Sequence, residues 1–362
     1  VGRRYYIVVS QRRNPISWVV IATISLATTA VWGQQPNRKP EPYVAALLPG
    51  EQRWLVTLPA LPAAGGAMDA SQIYIPLQDG SLTALDRETG LARWTAKVET
   101  TLLPVVSGGL IFVVSGEQVH AIDPTAGERR WSAPLPGRVR GPLLVRGNLI
   151  LALTEPDQLV ALRIDTREVA WRAATNAGNV LMNADERAVY LTTPDSRVVC
   201  VRLADGGVAW QRTLAGTLSE PSISDDRVLI GSTTDSLWAL DPKSGSEKWV
   251  WVRRSFGGDV IGAAISGKVV YVASKDNVIR ALNLSNGHQL WRQDIKTRPL
   301  LPPRAFFGTV AVFGLSPRVS TFLAKGGTAV ATWAPPPPSD TELEGPPLID
   351  EYFKPFRVAM VV

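Results

Sequence analysis

The chain has a single cysteine, Cys200, so no internal disulfide can form and stability must come from packing. Histidine is almost as scarce: His120 and His288 are the only two, and they lack the close spacing of zinc ligands. No phosphate-cradling glycine loop, serine nucleophile elbow or zinc pattern occurs, which removes every positive argument for those chemistries. A sustained helical period of about ten residues is also missing, so helical solenoids are excluded. Charged residues make up only 19% of the chain against 45% hydrophobic ones, a balance that supplies ample apolar material for a large core. The net charge of +6 is mostly local, because Arg3, Arg4, Arg12 and Arg13 precede position 34, where there are no acids. Without them 34 basic residues face 32 acidic ones, too even a balance for the sustained basic face that nucleic acid requires.

What is present begins with an export signature. Arg12-Arg13 precede an apolar run from Ile16 to Trp32 that is interrupted only by Ser and Thr. Cleavage after Gly33 would open the mature chain at Gln34-Gln35-Pro36, whereas a run close to the ~18 residues that begin to suggest a span could instead be retained as a membrane anchor. Residues 1–33 are therefore assigned to a signal peptide or anchor, 34–42 to a linker, and 43–362 to the folded body.

That body is periodic. Trp54, Trp94, Trp131, Trp171, Trp210, Trp249, Trp291 and Trp333 follow one another at intervals of 40, 37, 40, 39, 39, 42 and 42. A glycine stands four residues before most of them: Gly50, Gly90, Gly127, Gly206, Gly245 and Gly287, with Arg167 and Ala329 in the two remaining copies. Ten residues before each tryptophan the six central copies carry a small side chain, Ala84, Ala121, Ala161, Cys200, Ala239 or Ala281. The glycine suits the positive φ of a tight turn, and the small residue suggests close approach by the repeated tryptophan. Short runs such as 109–114, 148–153 and 269–273 are rich in β-formers and are followed by turn pairs such as Asp276-Asn277. Four short strands per ~40 residues is the arithmetic of a propeller blade. The segments 345–350 and 356–362 supply strands without a closing phrase, and 43–54 supplies a closing phrase without strands. The expected fold is an all-β, eight-bladed propeller of four-stranded antiparallel blades, its last blade closed by N- and C-terminal strands.

The phrase Ala-x-Asp-x-x-x-Gly-x-x-x-Trp, clearest at 84–94 and 239–249, resembles the tryptophan-docking motif of PQQ-like (quinoprotein-type) β-propellers, and the resemblance covers positions 44 to 333. Size and the split eighth blade are most similar to the outer-membrane assembly factor BamB subfamily. For that subfamily the resemblance implies a periplasmic, non-catalytic scaffold that binds envelope or outer-membrane proteins. For the larger quinoprotein dehydrogenases it implies PQQ and a calcium-type ion over the central channel. BamB members carry a lipidated cysteine just after the signal, where this chain has Gln34 and Gln35. The dehydrogenases use adjacent cysteines and inserted ligand loops, and neither is found here. The resulting expectation is a monomeric interaction scaffold without cofactor, metal or catalytic residues. The alternatives are a PQQ-dependent oxidoreductase and the sensory ectodomain of a protein anchored through residues 16–32.

Among individual residues, one tryptophan per blade at one phase is what packing produces, so the repeat tryptophans and Gly90, Gly127, Gly206, Gly245 and Gly287 are read as structural. Asp86, Asp123 and Asp241 are read as turn caps, because Arg163, Arg202, Asn283 and Lys325 replace them elsewhere and no carboxylate ring results. Cys200, at the small-residue position, is expected to be buried and inert, and His288, beside Gly287, to be solvated. The one segment with the composition of a protein-binding hot spot is Trp251 with Arg253 and Arg254, set beside the simpler reading that Trp251 packs on a neighbouring loop.

Overall fold

Alternating, β-branched runs separated by Gly and Asp turns can satisfy their backbone groups only by pairing with one another, and here they pair as consecutive hairpins. The computed structural model describes residues 51–333 apart from 177, 253–257, 307 and 315–317, together with strands at Arg4–Val9, Leu348–Ile349 and Arg357–Met360. It contains eight four-stranded antiparallel sheets. Seven are continuous in the chain, beginning with innermost strands at Ala67–Met68, Val105–Ser107, Leu144–Arg146, Leu181–Ala184, Ser222–Ser224, Val260–Ser266 and Arg304–Phe306. In the seven continuous blades the middle strands are the most buried, as in Leu149–Thr154 and Gln158–Arg163, and their side chains form a chain of apolar clusters between neighbouring blades.

Six of the eight repeat tryptophans, from Trp94 to Trp291, lie on the outermost strand of their blade directly across the ladder from the small residue, as with Ala84 opposite Trp94, Ala161 opposite Trp171, Cys200 opposite Trp210 and Ala239 opposite Trp249. A bulge one residue before the tryptophan recurs in all these ladders and twists the outer strand toward the neighbouring blade. The indole then leaves its own blade and lies on the turn glycine of the next one. A Cβ on Gly90 would come within 2.5 Å of the Trp54 ring, on Gly127 within 2.5 Å of Trp94, on Gly206 within 2.5 Å of Trp171, and on Gly245 within 2.6 Å of Trp210. The indole N–H donates to a carbonyl in the same turn, from Trp94 to Pro124 at 2.8 Å, Trp171 to Leu203 at 2.9 Å, Trp210 to Pro242 at 2.9 Å and Trp249 to Leu284 at 2.8 Å. The glycines thus serve twice, with φ near +70° and no side chain in the way of the ring. Where Arg167 replaces glycine it adopts φ 64° itself, and its guanidinium sits 5.7 Å from the centre of the Trp131 ring.

Two features depart from the spacing argument. Trp333 does not occupy the repeat position of the seventh blade, because the ladder pairs Thr321 with Ala331, places the bulge between Thr321 and Phe322, and leaves Trp333 opposite Val319. The turn glycine is Gly327, four residues before Ala331, and it receives Trp291 with a would-be Cβ contact of 2.5 Å. The apparent anomaly at Ala329 thereby disappears: the phrase ends at Ala331, and Trp333 follows it by one full pleat.

The second departure concerns the closing sheet, which runs Leu348–Ile349, Arg357–Met360, Arg4–Val9, Glu51–Thr57. N- and C-terminal strands do share this blade, but Arg4–Val9 lies between the final strands and the Trp54 strand, pairing with both. The segment Tyr5-Tyr6-Ile7-Val8-Val9 is a run of strong β-formers, which explains its capacity to pair. Residues 16–32 and 34–42 lie outside the described residues. Trp54 ties this blade to the first by donating to the Arg87 carbonyl at 3.1 Å.

Gly245→Ala and Gly108→Ala both force a side chain onto a positive φ, 67° and 57°, but only the former meets an indole, since nothing lies within 4 Å of Gly108. Denaturant unfolding should therefore show Gly245→Ala costing about 1–3 kcal/mol more than Gly108→Ala. Equal costs would show that the glycine serves the turn alone.

Candidate functional site

The turns that receive the indoles are chemically closed. Asp86 Oδ1 accepts from the backbone N–H groups of Glu88 at 3.0 Å and Thr89 at 2.8 Å, and Asp123 and Asp241 do the same for Thr125 at 2.7 Å and Lys243 at 2.9 Å. The other carboxylate oxygen pairs with the residue just before the tryptophan, Arg93, Arg130 or Lys248. Hydrogen bonds from Arg130 and Lys248 hold the carboxyls of Asp123 and Asp241 down at about 2. These aspartates are turn caps, each paired within its own turn. Among the described residues no group of three His, Cys, Asp or Glu side chains is arranged to hold a metal.

Inside the ring the innermost strands of the fourth to seventh blades wall a cavity of about 290 Å³, lined by Asn183, Glu220, Ser222, Ala263, Pro302 and Arg304, among others. Its wall is tied across blades by side chains that bond to neighbouring backbone: Asn183 donates to Pro221 O at 3.0 Å, and Ser222 to Ala263 O at 2.6 Å. Arg146, one blade earlier, donates to Ala184 O at 2.8 Å. Pro302 of the seventh blade approaches Gly262 of the sixth, where an added Cβ would come within 2.8 Å of the proline ring. Glu220 reaches solvent in the channel but is walled by protein, and this desolvation raises its carboxyl pKa against the opposing pull of Arg304. The cavity is a polar recess with one carboxyl and one guanidinium. Sequence reasoning passed over Glu220 and Arg304; the available signal was a proline next to each, Pro221 and Pro302-Pro303, at the entry to an innermost strand.

The residues singled out from sequence lie elsewhere. Trp251 is half-buried on the outermost strand of the fifth blade, packed on the cluster between the fifth and sixth blades, with the Arg280 guanidinium 5.4 Å from its ring centre. Arg253 and Arg254 lie outside the described residues. Cys200 is buried in the seam between the fourth and fifth blades, where burial pushes its thiol up to about 12. His120 is buried against Ser132 at 2.7 Å, and burial lowers its pKa; His288 is exposed. A PQQ and calcium site does not fit these residues. Calcium asks for 6–8 oxygen ligands, whereas the recess offers one carboxyl facing a guanidinium, and the lone thiol is sealed in a blade seam. No helix among the described residues is long and apolar enough to cross a membrane.

The family model described as outer membrane protein assembly factor BamB matches residues 78–220 and 215–334. Among individual proteins, the chain is 25% identical over 278 residues to the outer membrane protein assembly factor BamB of Bordetella pertussis, a match covering 74% of this chain and 63% of that protein. It is 26% identical over 283 residues to the Burkholderia pseudomallei protein of the same name, covering 72% of this chain and 73% of the relative. The match thus spans less than two thirds of the first relative's length. The crystal structure of BamB from Moraxella catarrhalis superposes with a TM-score of 0.62 at 19% identity, covering 83% of this chain and 97% of that one, a likeness of fold.

Because Cys200 is sealed and its thiolate disfavoured, a thiol reagent added to the native protein should label it only as fast as the seam opens, and rapidly once denaturant is added. Fast native labelling would contradict the burial described for it.

Proposed function

This chain belongs to the family of the outer membrane protein assembly factor BamB, and from that membership we propose that it is a non-catalytic scaffold of the cell envelope, working in outer-membrane protein assembly by binding partner proteins. The observation that carries this reading is the family match across residues 78–334 on a ring whose capping aspartates are paired within their own turns and whose repeat tryptophans dock on neighbouring blades. A closed ring presents loops on two faces from a rigid frame, which suits docking of other proteins. Family membership favours the periplasmic side of the envelope, and a single ring needs no second copy to complete its sheets. We also propose that it works without PQQ, since the recess lacks the ligands that the cofactor and its ion demand.

A tagged protein purified from envelope fractions should bring down components of the outer-membrane assembly machinery in fixed proportion. The same protein given PQQ and Ca²⁺ should show neither a bound-cofactor spectrum nor dye reduction; either signal, without assembly partners, would overturn the scaffold reading in favour of an oxidoreductase.

A further inference from the structure

One face of the ring carries the hairpins between the second and third strands of each blade. In each of the first six blades that hairpin presents an acid: Asp79, Glu117, Asp157, Asp195, Asp235 and Asp276. Several of these hold the basic groups of the same face. Arg140 pairs with Asp157 at 3.0 Å and Glu155 at 3.3 Å, Arg197 with Asp195 at 2.6 Å, and Arg280 with Asp276 at 2.5 Å.

The seventh blade breaks the rule. Its hairpin ends in Arg318, and no acid occurs anywhere from Ile295 to Ser339, a stretch that contains Lys296, Arg298, Arg304, Arg318 and Lys325. Lys296, Arg298, Arg304 and Arg318 are all exposed; among the described residues Lys296, Arg298 and Arg318 make no ion pair with a carboxylate, while Arg304 shares its recess with Glu220. The backbone gathers three of them. Pro299 bridges Gly314, and Gly314 N–H donates to Arg318 O at 3.1 Å, which places Lys296, Arg298 and Arg318 in one loop cluster. Exposed Leu300 follows, and Pro302-Pro303 then lead to Arg304 in the wall of the 290 Å³ recess.

We infer that this sector of the seventh blade, from the Lys296–Arg298–Arg318 loops down to Arg304 in the channel recess, docks an extended acidic segment of a partner protein. The inference rests on the scaffold reading above and names the chemistry of its partner. Unpaired basic groups beside a face otherwise studded with acids give charge complementarity to a narrow anionic strand. A flat anionic bilayer fits worse, because it would bring its charge against the acids of the other six blades. Leu300 and the proline pair add an apolar floor, and the recess admits a side chain that a surface cannot insert.

The test is fluorescence anisotropy of the full protein with a short dye-labelled Glu/Ser/Gly peptide, alongside sedimentation with phosphatidylserine vesicles. The peptide should bind, with affinity falling as salt rises, and Arg298→Glu with Arg304→Glu should weaken it about tenfold or more. Lys243→Glu with Lys268→Glu, the same charge change on the opposite face, should leave binding unchanged, and melting curves of both variants should match the parent. Equal loss in both variants, no peptide binding, or vesicle binding without peptide binding would each overturn the inference. Envelope partners retained in full by the Arg298→Glu, Arg304→Glu variant would reject this sector and leave the scaffold standing, whereas a parent protein that captures no assembly component would reject the scaffold itself.

Discussion

The ring depends on an indole that leaves its own sheet to lie on a glycine of the next. Each blade alone is a four-stranded sheet with two apolar faces and cannot be stable in water. The tryptophan couples neighbours through ring packing on a bare Cα and through an indole hydrogen bond to a carbonyl of the same turn. Everything else at the rim follows from that contact. The bulge aims the strand, the small residue across the ladder leaves room, and the aspartate cap with its basic partner fixes the turn that the ring must meet. Tyrosines of the second strand support the same rings from within, as at Tyr74 beside Trp94 and Tyr190 beside Trp210, with centroid separations of 5.9 and 6.0 Å.

Much of this was legible from residue order. A forty-residue period of tryptophan, glycine and small residues fixes blade number and strand count, and the Asp turn caps could be anticipated because aspartate reaches the N–H groups two and three residues on. The direction of docking was not legible, since a period shows that Trp210 recurs in phase with Gly206 but cannot show that it lies on Gly245. Trp333 shows how identity can mislead: an aromatic two residues late imitated the repeat, while Gly327, four residues before Ala331, carried the true phase. Arg4–Val9 was hidden by its position next to an export-like segment, although its composition is that of a strand. The channel recess was invisible for a different reason, because Glu220 and Arg304 are brought together by ring closure and share no local motif.

A frame held from its rim leaves its loops free to differ in charge. Six blades carry hairpin acids, three of which pair with neighbouring basic groups, and the seventh turns to unpaired base. Such asymmetry on a symmetric scaffold gives a partner one way to approach, which suits an assembly factor more than a catalyst.

The central claim is an energetic coupling between blades, and a double-mutant cycle on Trp210 and Gly245 measures it most directly. Trp210→Ala should cost about 3–5 kcal/mol in the parent protein. If Gly245→Ala has already displaced the ring, the second truncation should cost less, with a coupling energy of roughly 1 kcal/mol or more. Additive costs would mean that the two residues stabilise their blades independently, and would contradict a ring held together by indoles docked on the glycines of neighbouring blades.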